Sequence, residues 1–289
     1  MGSRTLIAAL ALALVVLLPG PAHAQSPKAP QLRGVHSFAF AIGSGDLDGA
    51  VTRRLAPFDL VVVDGEEATA AQVRSLRASG KVVLAYLSVG TIEPGRSWYR
   101  AAKPYRLPDR FEEFGEYYAD TARPGYRTLV AGRVAPRMLR KGFDGLFLDN
   151  TDMTETHRSQ TRGMRLLVRR LARLAHGRRG GLLFTQNGDD VIGPTLSLYD
   201  GWNREDVTST YDFATHRYKR VSAGDTKRAQ HTMRRFRASG LLVTSSDYTR
   251  AGDSASARAA VTNSCAAGGL PFVTNIGLTR IPARAAMCP

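Results

Sequence analysis

Cysteine is scarce in this chain of 289 residues, which holds only Cys265 and Cys288. Two cysteines exclude a disulfide-dense scaffold and a cysteine-rich zinc module. In an oxidising compartment an even count favours one bridge, here tying the C-terminal tail to the last helix. Histidine is also sparse, at six. His36, His157, His176, His216 and His231 are scattered without paired ligand spacing, so neither a metal nor another cofactor is expected. Two short motifs are incomplete. Gly43-Ser44-Gly45 has neither the spacing of a nucleophile elbow nor that of a dinucleotide-binding turn, and Asp46-Leu47-Asp48-Gly49 lacks the later ligands of a calcium loop. Acids are the minority charge, 25 against 40 Lys and Arg, for a formal charge of +15. Such an excess suits anionic surroundings. Yet Arg162, Arg165, Arg169, Arg170 and Arg173 are spread over a helical face and not interleaved with aromatics, so they read as a solvated shell and no nucleic-acid partner is expected.

Long apolar runs are missing after the first two dozen residues, so no later segment reaches the roughly 20 residues a membrane span needs. The N-terminus itself reads as a signal peptide over residues 1–24: Arg4 is the positive start, Leu6 to Leu18 the apolar core, and Ala22-His23-Ala24 the cleavage site. The expected product is a secreted monomer that begins near Gln25, with no stable membrane insertion after cleavage. Residues 25–34 look like a disordered lead. Residues 35–289 then form one domain, because about 265 residues after cleavage is close to the roughly 250 of a closed α/β barrel.

One unit recurs along that domain: an amphipathic helix, a glycine, then a short apolar run ending in polar residues. Its junctions are at Gly80, Gly142, Gly177, Gly240 and Gly268-Gly269, leading into Val82 to Leu87, Leu146 to Leu148, Leu182 to Phe184, Leu241 to Val243, and Phe272 with Val273. Glycine after a basic helical turn is the expected stop, since it accepts the left-handed conformation and the cations face the negative helix end. The apolar runs are too uniform for strands with one wet face and fit parallel strands covered on both sides. Adding His36 to Ile42, Phe58 to Val63 and a weaker run at Tyr199 to Trp202 makes eight units, which points to a single-domain (β/α)8 TIM barrel. The helix Thr161 to Ala175 carries Met164, Leu167, Val168, Leu171 and Leu174 on one stripe, which is core. The segment Thr91 to Pro124 exceeds an ordinary connection and is rich in aromatics, either as substrate wall or as a small core over the barrel.

In such barrels chemistry sits where the strands end, and those ends are rich in acids and amides. They read Asp64-Gly65-Glu66-Glu67, Tyr86-Leu87-Ser88, Asp149-Asn150-Thr151-Asp152, Gln186-Asn187-Gly188-Asp189, Trp202-Asn203-Arg204-Glu205-Asp206 and Ser246-Asp247-Tyr248. Carboxylates among amides and aromatics suit a sugar, and glycoside hydrolysis needs two carboxyl groups across the scissile bond. Acids at strand ends also serve magnesium-dependent phosphotransfer and lyase barrels.

Five segments in order, Lys81-Val-Val-Leu-Ala-Tyr86-Leu-Ser88-Val-Gly90, Gly142-Phe-Asp-Gly-Leu-Phe-Leu-Asp149-Asn-Thr-Asp152, Phe184-Thr-Gln186-Asn187-Gly188, Asp200-Gly-Trp-Asn-Arg-Glu205-Asp206 and Ser246-Asp247-Tyr248, resemble the endo-α-1,4-polygalactosaminidase family of glycoside hydrolases. The resemblance runs from about Phe58 to Tyr248. It implies a glycosidase on an α-1,4-linked polysaccharide of galactosamine or N-acetylgalactosamine. Asp149 would be the nucleophile and Glu205 the acid/base of a retaining pair. Asp64, Tyr86, Asp152, Gln186, Asn187, Trp202, Asp247 and Tyr248 would line the substrate pocket, with Asp152 raising a neighbour's pKa by like-charge repulsion. Two departures stand out: the first strand, Phe38 to Ile42, offers no side-chain acid or amide, and the acid after Gly90 arrives only at Glu93. They motivate the alternative of a carbohydrate-binding barrel without catalysis. A cationic galactosamine polymer would also be repelled by a chain of this charge unless the mouth is locally acidic.

Overall fold

The computed structural model describes residues 26–45 and 47–289; the signal peptide expected at 1–24 lies outside them. Eight parallel strands form one sheet, in chain order around it: Phe38–Phe40, Leu60–Asp64, Val82–Ser88, Gly145–Asp149, Leu182–Gln186, Gly201–Glu205, Leu242–Tyr248 and Leu270–Thr274. They are called here strands one to eight. Each pairs in register with the next, as in Leu60 with Val82, Leu84 with Gly145, Gly145 with Leu182, and Phe184 with Gly201. Across the seam, the Phe38 and Phe272 rings meet edge to face at 6.1 Å, bringing strand one against strand eight. The sheet is thus nearly closed into a (β/α)8 barrel with helices outside.

The uniform hydrophobicity of the runs follows from burial on both faces: strand two is buried at every position, as is strand seven. Side chains alternate between the two faces. Inside the barrel, Phe40 packs at 5.0 Å from Phe147, and Phe147 stacks at 6.5 Å from Phe184. Gly201 faces the same interior; a Cβ there would sit 2.1 Å from the Phe184 ring, so only glycine fits. Toward the strand ends the inward positions turn polar, through Tyr86, Asp149, Gln186, Asn203 and Ser246, which are joined by hydrogen bonds described below. The opposite face meets the helices. Trp202 packs edge to face on Phe236 of helix Ala223–Ala238 at 4.7 Å, and Ser245 bonds Ser264 of helix Ser254–Ala266 at 2.6 Å.

Helix Thr161–His176 buries Met164, Leu167, Val168 and Leu171, while Leu174 at its end is half-buried. The expected disordered lead is corrected in its described part. Lys28 N donates to Gly240 O at 2.8 Å, Pro30–Leu32 forms a short 3-10 turn, and Leu32 is fully buried. One leucine removed from water in this way contributes about 2 kcal/mol to docking the segment. Cys265 and Cys288 are disulfide-bonded, with Cα atoms 5.3 Å apart. No helix among the described residues is long and apolar enough to cross a membrane.

Two rim loops carry structure of their own. After strand three the chain makes a three-stranded antiparallel sheet of Thr91–Ile92, Arg106–Phe111 and Glu116–Ala119, and after strand six it makes the hairpin Ser209–Asp212 with Arg217–Arg220. Their tips touch: Phe114 meets Phe213 at 5.3 Å. Trp98 is buried beneath the first loop, whereas Phe111 and Phe114 face the cavity, so this aromatic segment is both a small core and a wall.

Candidate active site

A cavity of about 780 Å³ opens at the C-terminal ends of the strands. Asp149 closes strand four at its edge. Its Oδ2 accepts from the Tyr86 hydroxyl at 2.7 Å, and its Oδ1 accepts from Gln186 Nε2 at 3.0 Å and from the Asn150 backbone N–H at 2.7 Å. The last bond needs a sharp turn, and Asn150 supplies it with φ of 57°, a left-handed conformation asparagine tolerates. Gly90 lies against that turn; a Cβ there would come within 1.8 Å of the Asn150 carbonyl oxygen.

Glu205, ending strand six, is held by a parallel arrangement. Tyr248 donates its hydroxyl to Oε1, and Asn187 Nδ2 donates to Oε2 at 2.8 Å. Asn187 is itself left-handed, with φ of 48°, and its Oδ1 accepts the Glu205 backbone N–H at 3.0 Å. From Asp149 a polar chain continues beyond Gln186 into strands six and seven. Asn203 Nδ2 donates to Gln186 Oε1 at 2.9 Å while Thr244 donates to Asn203 Oδ1 at 2.8 Å.

Burial raises the Asp149 carboxyl above its ordinary range, and its three donors pull it back. Glu205 is pushed up to about 8, first by burial, then by the charges of Asp149 and Asp206. Both acids accept from donors that favour the carboxylate, but Glu205 also feels the charges of Asp149 and Asp206 and keeps its proton near neutrality. Asp152 rises to about 7 through burial, Asp149 and Glu155. Asp152 in turn adds to the rise of the Tyr118 phenol, behind burial and Glu113, whereas the acid that acts on Glu205 after Asp149 is Asp206.

Of the other residues expected in the pocket, Asp64, Tyr86, Asp152, Gln186, Asn187 and Tyr248 line the cavity with Asp149 and Glu205. Trp202 and Asp247 do not. Both occupy strand positions of the opposite parity to Glu205 and Tyr248, so alternation turns them toward the helices. Trp202 is fully buried and its Nε1 supports the Asn187 carbonyl at 2.8 Å from behind. Asp247 accepts the backbone N–H groups of Thr208 and Ser209 at 2.7 and 2.8 Å and so shapes the turn into the hairpin. Strand parity, legible in the sequence, would have separated these two.

Asp206, expected at the end of strand six, also lines the cavity, whereas Arg96, Glu116 and Phe213 were not anticipated. Arg96 bonds Asp64 Oδ2 and Glu93 Oε2, each at 2.6 Å, which brings the displaced Glu93 into the cavity wall. Glu116 accepts from Thr91 and rises to about 7, mainly through burial. Its place depends on the antiparallel excursion after strand three, which no periodicity announced. Strand one contributes Phe40, and the chain just after it Ile42 and Gly43, an apolar wall. In all, nine carboxyl groups and one arginine line the cavity, in a chain whose overall charge is +15. Among the described residues no group of three or more His, Cys, Asp and Glu side chains is arranged to hold a metal ion.

A (β/α)8 barrel with carboxyl groups at the ends of strands four and six fits a glycosidase, and the family match makes it one. The chain belongs to glycoside-hydrolase family GH114, whose model matches residues 20–281. Among solved structures, it is similar to the glycoside hydrolase domain of PelA from Pseudomonas aeruginosa, with a TM-score of 0.74 and 25% identity over 86% of this chain and 98% of that one. The fold also matches that of Aspergillus fumigatus Ega3, solved in complex with galactosamine, with a TM-score of 0.69 and 17% identity over 93% of this chain and 99% of that one. A curated relative, an uncharacterised protein of Deinococcus radiodurans, is 27% identical, covering 78% of this chain and 76% of its own length.

Proposed function

We propose that the protein is an exported endo-glycosidase that cleaves α-1,4-linked polymers of galactosamine and N-acetylgalactosamine. The observation that carries the substrate reading is the inversion of charge: nine carboxyl groups line a cleft in a strongly basic chain. Such a field attracts protonated amino sugars and removes the repulsion expected from net charge alone. Galactosamine in the Ega3 complex agrees with this chemistry. The apolar segment Leu6 to Leu18 and the Cys265–Cys288 bridge support export.

In this reading Glu205 protonates the glycosidic oxygen as the bond to C1 breaks, while the Asp149 carboxylate attacks C1 to form a glycosyl ester. Esterification removes the Asp149 charge, one of the influences that hold Glu205 protonated. With that charge gone the Glu205 carboxylate, left ionised by the first step, acts as the base: it takes a proton from a water whose oxygen attacks C1, the ester bond to Asp149 breaks, and the sugar leaves with Asp149 ionised and Glu205 protonated as at the start. Tyr86, Gln186 and the Asn150 N–H group spread the charge on Asp149 between steps.

Release of reducing ends from a partly deacetylated galactosamine polymer tests the proposal, with NMR of the first-formed anomer reporting retention. Asp149→Asn and Glu205→Gln should each lower turnover by at least about a hundredfold. A polymer left intact by the wild type, or cut by both variants as fast as by the wild type, would overturn the assignment. Turnover that vanishes in either variant would instead dispose of the non-catalytic alternative.

A further inference from the structure

Behind the rim acids of strand two lies a second cavity of about 660 Å³, and Glu66 and Ser97 line both it and the catalytic cleft. Its charge is opposite to that of the cleft. Arg100, Arg133, Arg137 and Lys141 line it, and Glu66 is the one acid among its lining residues. Glu66 Oε1 is already engaged by the Ser97 backbone N–H at 2.7 Å. Lys141 is occupied too, donating to the carbonyls of Gly65 and Glu66 at 2.9 and 2.5 Å. The three arginines are exposed and take part in no ion pair among the described residues.

Arg133, Arg137 and Lys141 recur every fourth residue, so they form one ridge along the later part of a helical stretch that begins with Pro124–Leu129, passes through the π turn Val130–Val134 and continues through Ala135–Arg140. Arg100 comes from the separate short helix Tyr99–Ala102. The negative helix end favours Arg137 and Lys141, but not Arg133 one turn earlier, and like charges four residues apart destabilise a helix. Stability alone thus disfavours the cluster, whereas an anion in the groove would relieve it. Between the cations the wall is apolar, from buried Trp98, Leu129 and Met138.

We propose that this groove binds a segment of acidic polysaccharide, its carboxylate or phosphate groups paired with Arg100, Arg133 and Arg137 and its sugar rings resting against the apolar wall. Arginine forks match such oxyanions with two parallel bonds. A sugar polymer is the partner favoured by continuity with a cleft that takes sugars. Cationic polymers also pair with polyanions in solution, so an enzyme acting on one meets the other at the same place. The site lies outside the catalytic machinery and its test does not require turnover.

The test is equilibrium binding of the full chain to polygalacturonate, a carboxylated sugar polymer, at low salt. Arg133→Gln with Arg137→Gln should weaken binding about tenfold or more. Arg169→Gln with Arg173→Gln removes the same charge from the exposed face of helix Thr161–His176 and should change binding less than roughly twofold. Circular dichroism melts confirm that both variants fold. Equal losses in the two variants mean charge without a site and overturn the proposal, as does an absence of wild-type binding. Duplex DNA bound more tightly than polygalacturonate, with the same dependence on Arg133 and Arg137, overturns the choice of partner.

Discussion

The hydroxyl of Tyr86 donates to Asp149 Oδ2 at 2.7 Å from the neighbouring strand. Burial, together with the Asp149 and Glu93 charges, holds the Tyr86 phenol well above its ordinary pKa, so it remains a donor across the working range. Tyr86→Phe removes one of three donors to the carboxylate. The Asp149 pKa should then rise, and the acid limb of the pH–rate profile should move to higher pH. We expect kcat to fall by about ten- to a hundredfold with a smaller change in KM. An unmoved acid limb would show that Tyr86 does not tune Asp149.

Glu205 sets the other limb. With a pKa raised to about 8, it is the protonated member at neutrality, and the rate should decline as pH passes that value. Glu205→Gln should abolish this limb and reduce kcat/KM by about two to four orders of magnitude on unactivated polymer. Persistence of the same limb in the variant would assign it to another group, with Asp206 and Glu116 the next acids to replace.

Stability should carry the same signature. A carboxyl whose folded pKa lies above its unfolded value binds its proton more tightly in the native state, so native stability falls as pH rises between the two values. For Glu205 that window runs from 4.5 to about 8, and Asp152, Asp206 and Glu116, each raised to about 7, act in the same direction. Thermal melts should therefore show the Tm of wild type dropping relative to Glu205→Gln by about 3 °C or more between pH 5 and pH 9. A constant difference across that range would argue that Glu205 is not raised.

Trp202 and Asp247 should behave as structural residues. Trp202→Ala leaves a hole against Phe236 and should destabilise by about 3 to 5 kcal/mol, measured by denaturant unfolding. The gentler Trp202→Phe keeps much of the packing but drops the bond to the Asn187 carbonyl, and should lower kcat more than it alters KM. Asp247→Ala orphans two buried N–H groups, costing about 1 to 3 kcal/mol for each. A selective rise in KM in either residue's variants would return them to the substrate pocket.

The Cys265–Cys288 bridge spans 23 residues and fastens the tail to the last helix. Replacing both by serine should lower stability by about 3 kcal/mol while leaving kcat/KM nearly unchanged, because neither cysteine lines the cleft. Equal stability of oxidised and doubly substituted protein would count against that value.

The sequence by itself determined the barrel, since uniformly apolar runs after helix-ending glycines at Gly80, Gly142 and Gly240 need cover on both faces, and eight such runs nearly close. It also placed acids and amides at strand ends that line the cavity, because Asp149, Gln186 and Glu205 close runs that are buried in the sheet. Facing was legible too, since Trp202 and Asp247 have the opposite strand parity to Glu205 and Tyr248 and so turn to the helices. Tertiary structure decided two things that local pattern does not encode. It recruited Arg96, Glu93 and Glu116 from an antiparallel excursion that has no repeat to read. And it set proton affinity, for the elevation of Glu205 arises from burial and from the charge of Asp149 on strand four, a field that exists only once the barrel has brought distant segments together.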